Sequence, residues 1–352
     1  MTKVVVAMSG GVDSSVAAAL LKKQGYEVIG VMLRLWSEPG KEDSNRCCTP
    51  DSMAMARRVA ARLDIPFYVV DAKEIFRSTV VQFLLDGYAQ SLTPNPCLVC
   101  NRMIRWEFLL NHALTLGADF MATGHYVRMR TTAGGRWQLL RAIDPNKDQS
   151  YVLYFLTQEK LKSTLFPIGE YSKNQIRSLA SDFDLPVATR ADSQDLCFLS
   201  GGDYREFLKR FAPRIAQSGQ VVNRQGKVLA SHQGLPFYTV GQRKGLGIVA
   251  PQPLYVLAKD ITSNTLIVGT EDERGRSELK VGQVNWLGCE PPLTPIRVKV
   301  KIRYTSQPAW AEISSVGEFV TIRFENAQRD ITPGQAAVFY DDDVLLGGGI
   351  IV

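Results

Sequence analysis

Three groups of residues have the types and spacing to do chemistry. The string Ala7-Met8-Ser9-Gly10-Gly11-Val12-Asp13-Ser14-Ser15 follows an apolar run and precedes a helical pattern. Two glycines let a backbone turn tightly and present N–H groups without Cβ obstruction, and the serines add hydroxyl donors. A helix starting there points the positive end of its dipole into the loop, so the chemistry is anion binding, with phosphate the natural anion. The lysine of the GxxxxGK[ST] loop is missing, which separates this loop from that of the common NTPases. Asp13 beside phosphates needs a compensating charge, which a magnesium ion or the helix amides would supply. The plain alternative is a strand-to-helix turn that uses Gly-Gly, with Asp13 as the helix cap.

The other two groups are thiols. Cys97 and Cys100 lie in Thr93-Pro94-Asn95-Pro96-Cys97-Leu98-Val99-Cys100-Asn101-Arg102. A CxxC can be half a zinc site, a redox pair, or one working thiol beside a passive neighbour. A zinc site needs a second pair at similar spacing, which is missing, and three histidines in the whole chain offer little Cys/His ligation. The stiff Pro-Asn-Pro approach points to a held loop rather than a helix interior. Arg102 and Arg105 follow, and such charges favour the thiolate. Cys197 sits in Asp192-Ser193-Gln194-Asp195-Leu196-Cys197-Phe198-Leu199. It fits a core strand or a loop entering a site equally well. Cys47, Cys48 and Cys289 read as structural.

The elements that must position these groups follow from periodicity. Lys3 to Ala7 and Glu27 to Leu33 are apolar runs expected to be strands buried on both faces. Helical spacing covers Ser14 to Gln24, Asp51 to Leu63 and Arg105 to Leu116; short strands fall at Phe67 to Val70 and Phe120 to Thr123. This alternation predicts an α/β fold with a doubly wound parallel sheet over residues 1–205. Thereafter short alternating runs stand between Gly, Pro, Asn and Asp. Residues 206–275 are expected to form a smaller, mainly-β domain and 276–352 a second one, a β-barrel. The 352 residues carry a net charge of +6, which permits an acidic partner such as RNA without requiring one. Six scattered cysteines, no secretory pattern and no apolar stretch of about 20 residues predict a cytoplasmic chain without a membrane anchor.

The string SGGVDS resembles the PP-loop of the N-type ATP pyrophosphatases, which adenylate a carbonyl oxygen and release pyrophosphate. Taken with Pro-Asn-Pro-x-x-x-Cys-Asn ending at Asn101, the whole chain resembles the tRNA-specific 2-thiouridylase family. So do Ala122-Thr123-Gly124-His125-Tyr126, Asn146-Lys147-Asp148-Gln149-Ser150-Tyr151 and the Cys197 segment. The match continues through Gly241-Gln242-Arg243-Lys244-Gly245-Leu246-Gly247 and Thr332-Pro333-Gly334-Gln335. The resemblance implies an N-terminal domain like the adenine nucleotide α-hydrolases and ATP-dependent 2-thiolation of the wobble uridine, position 34, of tRNA. It makes Cys100 the nucleophile and Cys197 the persulfide carrier, with a transient disulfide between them. ATP would be held by Ala7 to Ser14, Leu33 and Gly124, with Mg2+ accompanying it near Asp13. The tRNA would touch Asn95, Pro96, Cys97, His125, Lys147, Asp148, Gln149, Arg303, Tyr304 and Gln335. Implied partners are the Lys, Glu and Gln tRNAs and a sulfur-relay protein fed by a cysteine desulfurase. An amidating PP-loop ligase acting on a small metabolite and a non-catalytic tRNA-binding protein are the alternatives. The first lacks an attached glutaminase segment; the second leaves the intact loop and thiols without a use.

Overall fold

The computed structural model describes residues 1–40, 49–191, 197–199 and 203–352. Contacts divide the chain into two compact units. The first comprises Met1–Val80, Cys97–Gly202 and Asp343–Leu346; the second comprises Val81–Pro96, Asp203–Asp342 and Gly347–Val352.

The first unit begins with β1 (Lys3–Ala7), α1 (Val12–Lys23), β2 (Glu27–Arg34), α2 (Pro50–Arg62), β3 (Phe67–Asp71) and α3 (Lys73–Phe76). The helix α4 (Gln82–Ala89) belongs to the second unit. One continuous helix then runs from α5 (Pro96–Val99) through a π-helical segment (Cys100–Leu109) into α6 (Leu110–Thr115). It is followed by β4 (Phe120–Ala122), a hairpin of β5 (Val127–Thr131) and β6 (Trp137–Arg141), α7 (Gln158–Lys162), β7 (Thr164–Leu165) and α8 (Lys173–Asp182). The sheet order is β3-β2-β1-β4-β7, every pair parallel. Val4, Val5 and Val6 are wholly buried at its centre, as the unbroken apolar run of β1 demands. α1 is buried from Ser14 to Leu21, so alanines that give it no apolar stripe suit a helix enclosed on several sides. The order reverses between β1 and β4, and a doubly wound sheet opens its ligand crevice at such a point.

The second unit continues with α9 (Tyr204–Phe211) and a four-stranded sheet of β8 (Gly219–Asn223), β9 (Val228–His232), β10 (Tyr255–Asp260) and β11 (Thr265–Gly269), ordered β10-β11-β8-β9. Six further strands are β12 (Arg276–Trp286), β13 (Ile296–Lys301), β14 (Ala309–Val316), β15 (Phe319–Gln328), β16 (Ala336–Asp341) and β17 (Val344–Ile351). They run β12-β15-β14-β13-β16-β17, and β12 pairs back onto β17 through Val281↔Ile351 and Trp286↔Gly347. That closes the expected barrel around Val281, Ala311, Ile313, Ile322 and Phe339, all nearly inaccessible. No helix among the described residues is long and apolar enough to cross a membrane.

One local expectation is overturned. Pro-Asn-Pro does not lead Cys97 and Cys100 into a held loop. Both lie on the continuous helix, because Pro96 occupies its first position, where a missing N–H costs nothing. The helix therefore starts nine residues before the periodic pattern at Arg105 suggested.

Candidate active site

A single cleft in the first unit collects Ala7, Met8, Ser9, Asp13 and Ser14 from the loop after β1, and Val31 to Leu33 and Leu35 from β2 and its end. It adds Cys100, Ile104, Arg105 and Leu109 from the π-helical segment, Thr123 to His125 beyond β4, and Gln149. Residues 100, 104, 105 and 109 share this face because the segment is π-wound. Its wider turn brings side chains four to five apart into line. Two of the four carry chemistry: a thiol at Cys100 and a guanidinium at Arg105, which donates to Asn101 Oδ1 at 2.7 Å.

Two glycines fix the phosphate loop by allowing backbone to approach backbone. Gly10 has a φ of +73°, and a Cβ there would stand 2.3 Å from the Ser52 carbonyl oxygen. A Cβ on Gly124 would stand 2.7 Å from the Ser14 nitrogen, so the turn after β4 lies directly on the first turn of α1. Within the loop the Ser9 N–H donates to Ser14 Oγ at 3.2 Å, and Ser15 Oγ donates to the Gly11 carbonyl at 2.8 Å. Arg190 donates to the Gly10 carbonyl at 3.0 Å and to Ser52 Oγ at 2.9 Å.

Asp13 requires a correction. Its compensating charge comes from Lys173, whose Nζ donates to Oδ1 at 2.7 Å, and the Tyr126 hydroxyl donates to the same oxygen at 2.6 Å. Neither magnesium nor the helix amides are needed for that purpose. Among the described residues no group of three or more His, Cys, Asp or Glu side chains is placed to hold a metal ion. The loop itself fits a nucleotide: glycine-backed main chain, hydroxyls, a helix N-terminus and an apolar wall at Val31 to Leu33.

His125 is buried, with Nδ1 2.8 Å from Thr123 Oγ1 and its ring 5.5 Å from that of Trp106. Burial first, then the Arg105 charge, holds its pKa well below the ordinary histidine value, so it is a neutral imidazole at the cleft wall. Gln149 accepts from the Tyr126 N–H at 3.0 Å and lines the same cleft. Asp148 departs from its expected place on a solvated RNA-facing loop. It is 4% exposed, and its carboxylate accepts from Arg141 Nε, the Ala142 and Ser150 N–H groups and Ser150 Oγ, all at 3.1–3.2 Å. Such a carboxylate shapes the Lys147-to-Gln149 turn and has no face left for RNA. Lys147 is half-buried beside it.

Cys197 is a half-buried thiol outside the cleft lining, and Cys97 is an exposed one. Phe198 holds the Cys197 segment in place: it is 2% exposed and meets Phe76 edge-on at 5.7 Å. Phe76 ends α3, and α3 packs against the segment that carries Cys100. The polar approach Asp192 to Asp195, and Cys47 and Cys48, lie outside the described residues.

The remaining RNA candidates sit in the second unit. Gln335 donates to the Thr93 carbonyl at 2.6 Å, and the Thr93 N–H donates to the Pro333 carbonyl at 3.3 Å, two residues before Asn95. Arg303 donates to Thr332 Oγ1 at 2.5 Å and to the Val240 carbonyl at 2.9 Å. Tyr304 is 40% exposed, with Lys301 Nζ 5.5 Å above its ring. Sequence reasoning missed Lys173, Arg190 and the lining residues Ile104 and Leu109. Tyr126 stood in a quoted motif, but nothing in the sequence tied it to Asp13.

A lysine-free phosphate loop at the switch point of a doubly wound sheet, with a thiol in the same cleft, defines an ATP-using PP-loop enzyme. Family models match in three blocks. They are described as tRNA methyl transferase HUP domain over residues 2–201, tRNA methyl transferase PRC-barrel domain over 205–270 and aminomethyltransferase beta-barrel domain over 276–351. The chain is 47% identical to the tRNA-specific 2-thiouridylase MnmA of Heliobacterium modesticaldum, with 99% of this chain and 92% of that protein covered. It is 48% identical to the protein of the same name from Magnetococcus marinus, covering 99% of each. The corresponding protein of Rippkaea orientalis is 47% identical over 100% of this chain and 99% of its own length. The domain descriptions speak of methyl transfer, but the full-length relatives span the whole chain and are named for thiolation. The chain belongs to the tRNA-specific 2-thiouridylase family.

Proposed function

We infer that this chain is a tRNA-uridine 2-sulfurtransferase, which replaces the C2 oxygen of the wobble uridine by sulfur at the expense of ATP. The observation that carries the reading is the shared cleft, where the Cys100 thiol and the phosphate loop face one space with Leu33 and Gly124. Uracil C2 is a poor electrophile, and adenylation of its oxygen turns that oxygen into a leaving group as pyrophosphate departs. The loop from Ala7 to Ser14 would hold the phosphates, and Leu33 the adenine through its backbone. Mg2+ would accompany the phosphates, whose charge it offsets.

Cys197 would carry the persulfide and Cys100 would act as nucleophile. Attack of the Cys100 thiolate on the inner persulfide sulfur releases hydrosulfide and leaves a Cys100–Cys197 disulfide. Hydrosulfide then adds at C2, AMP leaves, and an external thiol reduces the disulfide. The neutral His125 and Gln149 suit contacts with the flipped base, and Asn95, Pro96 and Cys97 would border it. Lys147, Arg303, Tyr304 and Gln335 would contact the tRNA, whose phosphates supply most of the affinity. In this reading residues 1–205 carry the chemistry, 206–275 act as an adaptor and 276–352 as the tRNA-binding barrel. The substrates would be the Lys, Glu and Gln tRNAs in the cytoplasm, with sulfur delivered by a relay protein fed by a cysteine desulfurase.

Mass spectrometry of tRNA nucleosides after incubation with ATP and a persulfide donor tests the reading. The expected product is 2-thiouridine, with one oxygen exchanged for one sulfur. Cys197→Ser and Cys100→Ser should each give none while still binding ATP and tRNA. Full activity of Cys197→Ser would overturn the relay.

A further inference from the structure

The loop that lacks a lysine in sequence receives one from the fold. Lys173 opens α8, where Ser172 and Gln175 form a capping box that fixes the start of the helix. Its side chain is 10% exposed, against 34% for Asp13, and a lysine so enclosed is held there by its partner. Asp13 lines the cleft, whereas Lys173 is outside the lining. Lys173 and the Tyr126 hydroxyl meet the same carboxylate oxygen, at 2.7 and 2.6 Å. The three side chains come from the phosphate loop, the turn after β4 and the first turn of α8, so their meeting is made by the tertiary structure alone. An uncompensated carboxylate at this point would repel a polyphosphate, and charge repulsion acts strongly where solvent is partly excluded.

We propose that Lys173 is a positioning residue of the ATP site. It neutralises Asp13 and, with Tyr126, anchors that carboxylate by one oxygen, so that the phosphate loop presents donors to the triphosphate without a repelling charge. It acts through Asp13 by removing a repelling charge, unlike the loop lysine of common NTPases, which reaches the phosphates directly. The inference rests on the reading of the cleft as the ATP site.

The test is calorimetric titration of a non-hydrolysable ATP analogue, with thermal melting of each variant. Lys173→Met should weaken binding about tenfold or more, as expected for losing a charge-assisted hydrogen bond and baring a carboxylate. Lys173→Arg, which keeps the charge, should stay within about threefold of wild type. The deciding variant is Asp13→Asn/Lys173→Met, which removes both charges and should recover most of the lost affinity. A folded double variant as weak as Lys173→Met, or an unchanged Kd in Lys173→Met, overturns the proposal. If Lys173→Met alone fails to fold, the double variant decides: binding near wild type supports the role, and weak binding refutes it. Wild-type protein that binds no nucleotide would overturn the ATP-site reading and this inference with it.

Discussion

The cleft of the first unit and the Ser91–Thr93 segment of the second are both held in place, by opposite means. In the cleft, main chain lies on main chain: Gly10 against Ser52 and Gly124 against Ser14, at distances where a Cβ would not fit. In the second unit long side chains capture carbonyls. Lys259 Nζ donates to the Ser91 oxygen at 2.9 Å, and Gln335 Nε2 to that of Thr93 at 2.6 Å. Backbone contact leaves no rotamer to relax, so the first arrangement is stiff and intolerant of added atoms. Side-chain capture keeps several torsions in play and makes the second arrangement adjustable and sensitive to charge. A site that held a phosphate chain in line with a leaving group would benefit from the first.

The largest expected effect lies in the first unit. Asp148→Ala removes the acceptor of four internal hydrogen bonds and leaves Arg141 without its carboxylate. The stability loss should be about 3 kcal/mol in denaturant melts. The salt dependence of tRNA binding by the folded fraction should not change. A variant of normal stability with weakened tRNA binding would return Asp148 to an RNA-facing role.

Gly124→Ala probes the stiffness of the cleft directly. A Cβ 2.7 Å from the Ser14 nitrogen must push the β4 turn off the phosphate loop. Stability should fall by about 1–3 kcal/mol, and affinity for an ATP analogue should drop with it. Unchanged nucleotide affinity would mean that the cleft is as adjustable as the second unit.

The smallest effect sharpens the other side of the comparison. Burial lowers the Lys259 pKa from 10.5 to about 8. Between those values the unfolded chain binds the extra proton and the folded one does not, so stability rises as pH rises through this window. Below about pH 8 the folded protein bears the whole cost of burying the charge. Lys259→Met should therefore be more stable near pH 7, by about 1 kcal/mol after the lost bond to Ser91 is allowed for. Its stability should also lack the alkaline rise. A melt series from pH 7 to pH 10 that gave the same slope for both proteins would remove Lys259 as the source.

The phosphate loop was legible in sequence because its chemistry is local: two glycines, three hydroxyls and a helix start within nine residues. The doubly wound sheet was legible too, since a strand buried on both faces must read as Val4-Val5-Val6. The start of the helix misled because Pro-Asn-Pro reads as a loop, whereas Pro96 opens a helix, and its π winding over residues 100–109 shows only in the hydrogen-bond ladder. Asp148 misled because a polar residue between Lys147 and Gln149 looks solvated until its donors are known. The barrel over 276–352 was legible as short runs between turn residues, whereas its closure by β12 on β17 is a pairing between distant segments that no local pattern encodes.

By itself the sequence determined the loop, the two spaced thiols and the layered order of strand and helix, all of which depend on neighbours in the chain. The tertiary structure decided which charge answers Asp13, which helix face lines the cleft, and how Phe198 moors the Cys197 segment on Phe76. Lys173 reaches Asp13 across 160 positions of sequence, and no local pattern encodes an ion pair of that span. Electrostatic compensation is a property of distance in space, and the fold alone sets that distance.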